Sequence, residues 1–262
     1  MPGPRPTPVA LSVAGSDSGG GAGVQADLLT FAALGVYGTT AITCVTAQNP
    51  DSVSAVHAVP ARVIGEQMRQ VAAFFRIGAM KTGMLLRAAI IREVARFLAE
   101  HPRLPVVVDP VMVATSGARL LQQDAIRALA DDLLPRASLI TPNLDEAAVL
   151  LGSRPQTPDE LKEAAAALAS RFGTAVLLKG GHLSGDRLFD VLARPGHRPR
   201  LFRGSRIKNV DTHGSGCTLS AAITALLARD ATIEEAVVGA RRYLRQGMTR
   251  PVFPGHRRFI AH

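Results

Sequence analysis

Short, largely apolar runs that each break off at a glycine or a charged side chain set the limits on how this chain folds. Val9 to Ala14 ends at Gly15, Ile77 to Met80 at Lys81, Val106 to Val108 at Asp109, and Ala175 to Leu178 at Lys179. Runs this short are strands, and strands apolar at every position are buried on both faces. Thr39 to Thr46 is β-branched and strand-like, Ser138 to Thr141 adds a strand, and Leu188 to Ala193 with Arg200 to Ile207 reads as a strand pair. Helical spacing fills the intervals: Val24 to Leu34, stopped by Gly35; Pro60 to Phe75, opened by a proline in its first turn; Arg87 to Glu100; Gln122 to Asp131; Leu144 to Leu151; Pro158 to Phe172; Gly216 to Ala228; and Ile233 to Gly247. Strands alternating with helices predict a mostly parallel sheet covered on both sides, an α/β fold. No repeat or long linker interrupts the pattern, so residues 9–262 read as one domain behind a flexible stub, residues 1–8.

Composition narrows the function classes. The chain has 262 residues, 47% of them hydrophobic, which excludes disorder throughout and leaves a core that needs no staples. Two cysteines, Cys44 and Cys217, do not make a disulfide scaffold. Met1 to Pro8 is proline-rich and lacks the apolar stretch of a signal peptide. The uncharged run Leu28 to Pro50 is broken by glycines, threonines, Gln48 and Asn49, so it is not expected to span a membrane. A cytoplasmic protein is the expectation. The net charge of +9 comes mostly from scattered arginines, with a cluster at Arg241, Arg242, Arg245, Arg250, Arg257 and Arg258. With no tryptophan and two tyrosines, the chain lacks the stacking platforms of a single-strand binder, and nucleic acid is not an expected partner.

In open parallel sheets the ligand lies beyond the carboxyl ends of the strands. That rule gathers Gly15 to Gly23, Gln48-Asn49, Lys81 to Met84, Asp109, Asn143 to Glu146, Lys179-Gly180-Gly181 and Asp211 to Cys217 on one face. Asp211-Thr212-His213-Gly214-Ser215-Gly216-Cys217 opens an apolar helix, and glycines before a helix leave N–H groups and positive potential for a phosphate. A plain loop-to-helix turn has the same appearance. Cys217 in the first helical turn is either a small packing residue or a thiol whose pKa the helix lowers toward 7. Cys44, mid-strand, reads as buried packing. Asp109 suits Mg²⁺ or the capping of its loop. Asn143 and Glu146, three apart, suit phosphate and water-bridged Mg²⁺, or simple helix capping. Lys179 suits a phosphate or a solvated strand end. No HExxH, C-x-x-C, G-x-S-x-G or Walker A pattern is present.

Taken in order, these segments resemble the hydroxymethylpyrimidine and hydroxymethylpyrimidine phosphate kinases of thiamine biosynthesis, members of the ribokinase-like superfamily that also holds the pyridoxal kinases. The resemblance runs from Val9 to about Leu244. It rests on Ala14-Gly15-Ser16-Asp17 through Gly19-Gly20-Gly21-Ala22-Gly23-Val24-Gln25-Ala26-Asp27, Val45-Thr46-Ala47-Gln48-Asn49 and Lys81-Thr82-Gly83-Met84-Leu85. Further anchors are Thr141-Pro142-Asn143, Leu178-Lys179-Gly180-Gly181-His182 and Thr212-His213-Gly214-Ser215-Gly216-Cys217. It implies a ribokinase-like three-layer α/β/α fold, ATP as phosphoryl donor, Mg²⁺, and a homodimer. It implies that Gln48 bonds the aminopyrimidine, with Asp27, Met84 and Gly15 around it. Cys217 would be the base, with Gly214, Gly216 and Lys179 holding the transferring charge. Asn143, Glu146, Thr212 and Ser215 would serve the nucleotide phosphates, and Asp109 with Glu146 the metal. Sugar kinases of the superfamily carry aspartate where this chain has Cys217. A pyridoxine or pyridoxal kinase is the alternative. Two departures stand out: Ser18-Gly19-Gly20 where the family often has proline and serine, and an arginine-rich tail beyond Leu244.

Overall fold

The computed structural model describes residues 6–112, 121–181, 186–255 and 257–262. His182, one of the motif residues, and residues 1–5 of the stub lie outside them. The chain runs β1 (Val9–Ser16), α1 (Gly23–Ala33), β2 (Tyr37–Asn49), β3 (Ser52–Ala58), α2 (Ala61–Phe74), β4 (Ile77–Thr82), α3 (Ala88–Glu100) and β5 (Val106–Val108). It continues with α4 (Gln123–Ala128), β6 (Leu139–Ile140), α5 (Leu144–Leu151), α6 (Pro158–Phe172), β7 (Ala175–Lys179), β8 (Arg187–Ala193), β9 (Arg200–Ser205), α7 (Ser215–Ala228) and α8 (Ile233–Thr249).

One nine-stranded sheet, ordered β3-β2-β1-β4-β5-β6-β7-β8-β9, organises these elements. Strands β2 through β7 are parallel neighbours, and β3, β8 and β9 add antiparallel edges. Alternation along each strand divides the core in two. Leu11, Val13, Met80, Val106, Val108, Val176 and Leu178 face one side, with α2 to α6. Ala10, Ala79, Val107, Leu139, Ala175 and Leu177 face the other, with Phe31 of α1 and the inner residues of α7 and α8. This is the expected three-layer α/β/α arrangement with a mostly parallel sheet. The strand order reverses at β1, flanked by β2 and β4, and such a switch point opens a crevice at the carboxyl ends.

Several boundaries depart from expectation. The β3 edge strand was not anticipated: nearly every residue is exposed, so it carries no buried signature. The Asn49 side chain makes its turn by accepting from the Asp51 and Ser52 N–H groups. Pro60 sits one residue before α2 rather than in its first turn, and Gly35 does stop α1 with φ at +70°. Gln122 to Asp131 is not one helix. After Ala128 the chain widens into a π-helical turn, Leu129–Leu133. Strand β4 runs to Thr82, so Lys81 lies inside the sheet instead of following it.

Candidate active site

The crevice begins at the β1–α1 loop. Asp17 shapes it, accepting from the Gly19 N–H at 2.8 Å and the Ala22 N–H at 2.9 Å, while the Gln25 side chain accepts from the Asp17 N–H. Gly23, at the start of α1, has φ +58°, and a Cβ there would strike the Gly15 carbonyl. Gly15 forms a floor: a Cβ on it would lie 2.8 Å from Cys44 Sγ and 3.0 Å from the Met84 methyl. Met84 is fixed from behind, its carbonyl accepting from Thr43 Oγ1 at 2.6 Å. Gln48, near the end of β2, is tied to the loop by Ser18, which bonds both its N–H and its carbonyl. Met84 therefore lies beside Gly15, while Gln48 stands at the Ser18 end of the loop.

Asp27 is not on this wall. It is fully buried, with Lys81 Nζ at 2.7 Å and Ser12 Oγ at 2.5 Å. Burial opposes the Lys81 charge, yet Asp27, Cys217 and Asp109 together hold its pKa above the ordinary value.

The segment 211–217 closes the crevice from above. Gly214 takes φ +76°, and a Cβ there would collide with the Gly21 carbonyl, so glycine alone lets the two loops touch. The Ser215 N–H bonds the Thr212 carbonyl, and α7 begins. Cys217 keeps some exposure, and its sulfur receives the Gly23 N–H. The N-termini of α1 and α7 thus converge on one thiol. Of the two readings of Cys217, the lowered thiol is not the one its surroundings favour. Burial pushes Cys217 up to about 11, and the pull of Lys81 and the Gly23 N–H is not enough to reverse it.

The opposite wall carries the charged set. Lys179 Nζ lies 3.1 Å from Asp109 Oδ1, which also accepts from Thr141 Oγ1 at 3.2 Å. A Cβ on Gly216 would lie 3.4 Å from Lys179 Nζ and 3.5 Å from Asp109 Oδ2, so the first turn of α7 faces this pair. Asn143 and Glu146 form a capping box: Asn143 Oδ1 accepts from the Asp145 and Glu146 N–H groups, and Glu146 Oε2 accepts from the Asn143 N–H. Burial, with Asp109 nearby, raises Glu146 to about 7 against the pull of Lys179. Two buried carboxylates around one ammonium make a donor set suited to a hydrated divalent cation, which needs only one or two carboxylates. Thr212 is exposed and Ser215 half-buried at the mouth.

Sequence reasoning assigned no role to His213. Its Nε2 lies 3.1 Å from Asp17 Oδ2 and 3.4 Å from Gln48 Nε2, linking the closing segment, the glycine loop and β2. The signal was its place inside the Asp211–Cys217 motif.

The family model described as phosphomethylpyrimidine kinase matches residues 17–261. The hydroxymethylpyrimidine/phosphomethylpyrimidine kinase of Rhizobium meliloti is 49% identical over 91% of this chain and 89% of its own length. Among solved structures, the Bacillus subtilis pyridoxal kinase in an ADP complex superposes with a TM-score of 0.90 at 35% identity, covering 98% of each chain. The phosphomethylpyrimidine kinase of Clostridium difficile 630 gives 0.81 at 38% identity, covering 91% of this chain and 98% of that one. With the fold, the glycine loops and these likenesses in agreement, the chain belongs to the phosphomethylpyrimidine kinase family of ribokinase-like kinases.

Proposed function

We propose that this chain transfers the γ-phosphoryl group of ATP to the hydroxyl of 4-amino-5-hydroxymethyl-2-methylpyrimidine and then to the resulting monophosphate, giving the diphosphate for thiamine biosynthesis. The observation that carries this reading is one crevice with two unlike walls. An amide, Gln48 at the glycine loop, and a thioether, Met84 beside Gly15, stand on one side, and Lys179, Asp109 and Glu146 stand on the other, with Cys217 and the start of α7 between. An amide both donates to a ring nitrogen and accepts from an amino group, and a thioether covers a flat ring.

Residues 9–262 act as one kinase domain in this reading. Gly214, Gly216 and Cys217 present the first turn of α7 to the transferring phosphoryl group, and Lys179 adds a cation. Most of the catalysis is then positioning and charge neutralisation. Asn143, Thr212 and Ser215 border the nucleotide phosphates. Asp109 and Glu146 would hold Mg²⁺, which when bound neutralises phosphate charge. The acceptor hydroxyl gives its proton to Cys217 Sγ in the thiolate form as the new O–P bond forms and ADP leaves.

A panel of the hydroxymethylpyrimidine, its monophosphate and pyridoxal with Mg-ATP, read by mass, tests the reading. Mono- and diphosphate products from the pyrimidine support it. Phosphorylated pyridoxal with the pyrimidine untouched replaces it with the B6 kinase. A homodimer is part of the same reading. The β2–β3 hairpin leaves Val45, Val53 and Val56 about half exposed, apolar surface for a second copy. A light-scattering mass near the 27.6 kDa of one chain would reject the dimer.

A further inference from the structure

His213 meets two polar groups through one ring nitrogen. Nε2 lies 3.1 Å from the carboxylate oxygen Asp17 Oδ2 and 3.4 Å from the Gln48 side-chain amide. A protonated Nε2 donates to Asp17, with the Gln48 amide turned to present its oxygen, and an unprotonated Nε2 accepts from the Gln48 NH₂ and faces Asp17 lone pair to lone pair. The ring is pinned besides: a Cβ on Gly21 would lie 2.9 Å from His213 Cδ2, and the His213 N–H donates to Asp211 Oδ1. Its side chain remains 20% exposed toward the crevice mouth. Asp17, in contrast, is 4% exposed, and its two oxygens are already engaged by loop N–H groups.

The acceptor's chemistry gives this contact a use. On the proposed substrate the amino group and the hydroxymethyl group occupy adjacent ring carbons. If Gln48 reads the amino group, whatever the methylene carries falls next to His213. In the second phosphorylation the methylene carries a phosphate, and that dianion needs a donor or a cation on the acceptor side. Three cations near the crevice are already paired with carboxylates. Lys81 is sealed against Asp27, Lys179 sits on Asp109 across the crevice, and Arg257 bridges Asp51 and Asp211 outside it. Imidazole offers an N–H donor at that place.

We propose that His213, seated on Asp17, takes the phosphate already present on the second-step acceptor and so sets the balance between the two phosphorylations. The Asp17 carboxylate holds the ring in the ligand-free site, and the arriving phosphate shares the Nε2 donor with it. This inference rests on the proposed pyrimidine kinase reading and goes beyond it by assigning the second step its own residue.

The test is steady-state kinetics of His213→Ala and His213→Asn on both acceptors, with Mg-ATP saturating. A charge-assisted hydrogen bond to a phosphate predicts a fall in kcat/KM for the monophosphate of about 10- to 100-fold, carried mainly by KM. The alcohol slows too, by about threefold, because His213 also touches Gln48. A His213→Lys variant, which supplies a cation, should recover part of the monophosphate step but none of the loss on the alcohol. Equal losses on the two acceptors in both truncating variants overturn the proposal. A wild-type enzyme that phosphorylates the alcohol and ignores the monophosphate overturns it as well, while leaving the first-step kinase reading intact. Failure on both pyrimidines refutes that reading itself.

Discussion

Lys81 Nζ lies 2.7 Å from Asp27 Oδ1, and neither side chain reaches solvent. Their positions are 54 residues apart in the chain, on β4 and α1, and the pair sits beneath the thiol of Cys217. Removing one partner leaves a bare buried charge or a bare carboxylate, which typically costs about 3–5 kcal/mol. Asp27→Asn and Lys81→Met should each lower the urea midpoint strongly, and the double variant should lose less than the sum. Additive losses would show that the two do not act as a pair. Lys81→Met should also slow alkylation of Cys217 at pH 8, since it removes the cation that draws the thiol pKa down.

A thiol held at about 11 is ionised in only about one molecule in ten thousand at pH 7. If Cys217 accepts the hydroxyl proton as thiolate, log kcat/KM should climb with a slope near one from pH 8 to 10. Cys217→Ser should abolish that alkaline limb, and Cys217→Ala should leave ATP binding while removing turnover. A flat profile above pH 8 in the wild type would instead make Cys217 a donor that orients the hydroxyl.

Glu146 supplies an opposite dependence. Its pKa rises from the ordinary 4.5 to about 7 on folding, because burial outweighs the pull of Lys179. Between those values the folded chain keeps a proton that the unfolded chain has lost. Stability from this group is therefore complete below pH 4.5 and declines as pH rises to 7. Glutamine preserves the capping box but does not ionise. Chemical denaturation should find Glu146→Gln gaining on the wild type between pH 5 and 8 by a few kcal/mol, of order 3. A constant difference at the two pH values would refute the shift. Mg-ATP should offset the wild-type deficit, because it brings charge to the carboxylates.

The layers of the fold were legible because burial writes itself locally. Val106 to Val108 is apolar at each position since helices cover both faces, and Leu144 to Leu151 keeps its helical period to the residue. Site positions at the strand ends were legible for a related reason, as glycine, amide and acid interrupt those runs. Relations across the chain were not. The Lys81 charge looked like the end of a strand, and only its distant partner Asp27 explains why a lysine is tolerated inside the sheet. The same holds for the Asp17–His213–Gln48 contact, which joins three segments no local pattern connects. Two readings of Cys217 stayed open because the helix termini are visible in the sequence whereas the burial that raises the thiol is not.

The Gly23 N–H reaching the sulfur of Cys217 joins an early part of the chain to a late one. Synthesis proceeds from the amino end, so the acceptor loop and α1 emerge long before the residue that completes them. A ribosome-bound chain that stops short of residue 217 presents the β1–α1 loop without the segment that closes over it, and on the proposed reading it lacks the base. On that reading such unfinished chains do not spend ATP, and the appearance of phosphoryl transfer during translation would report that the closing segment has docked.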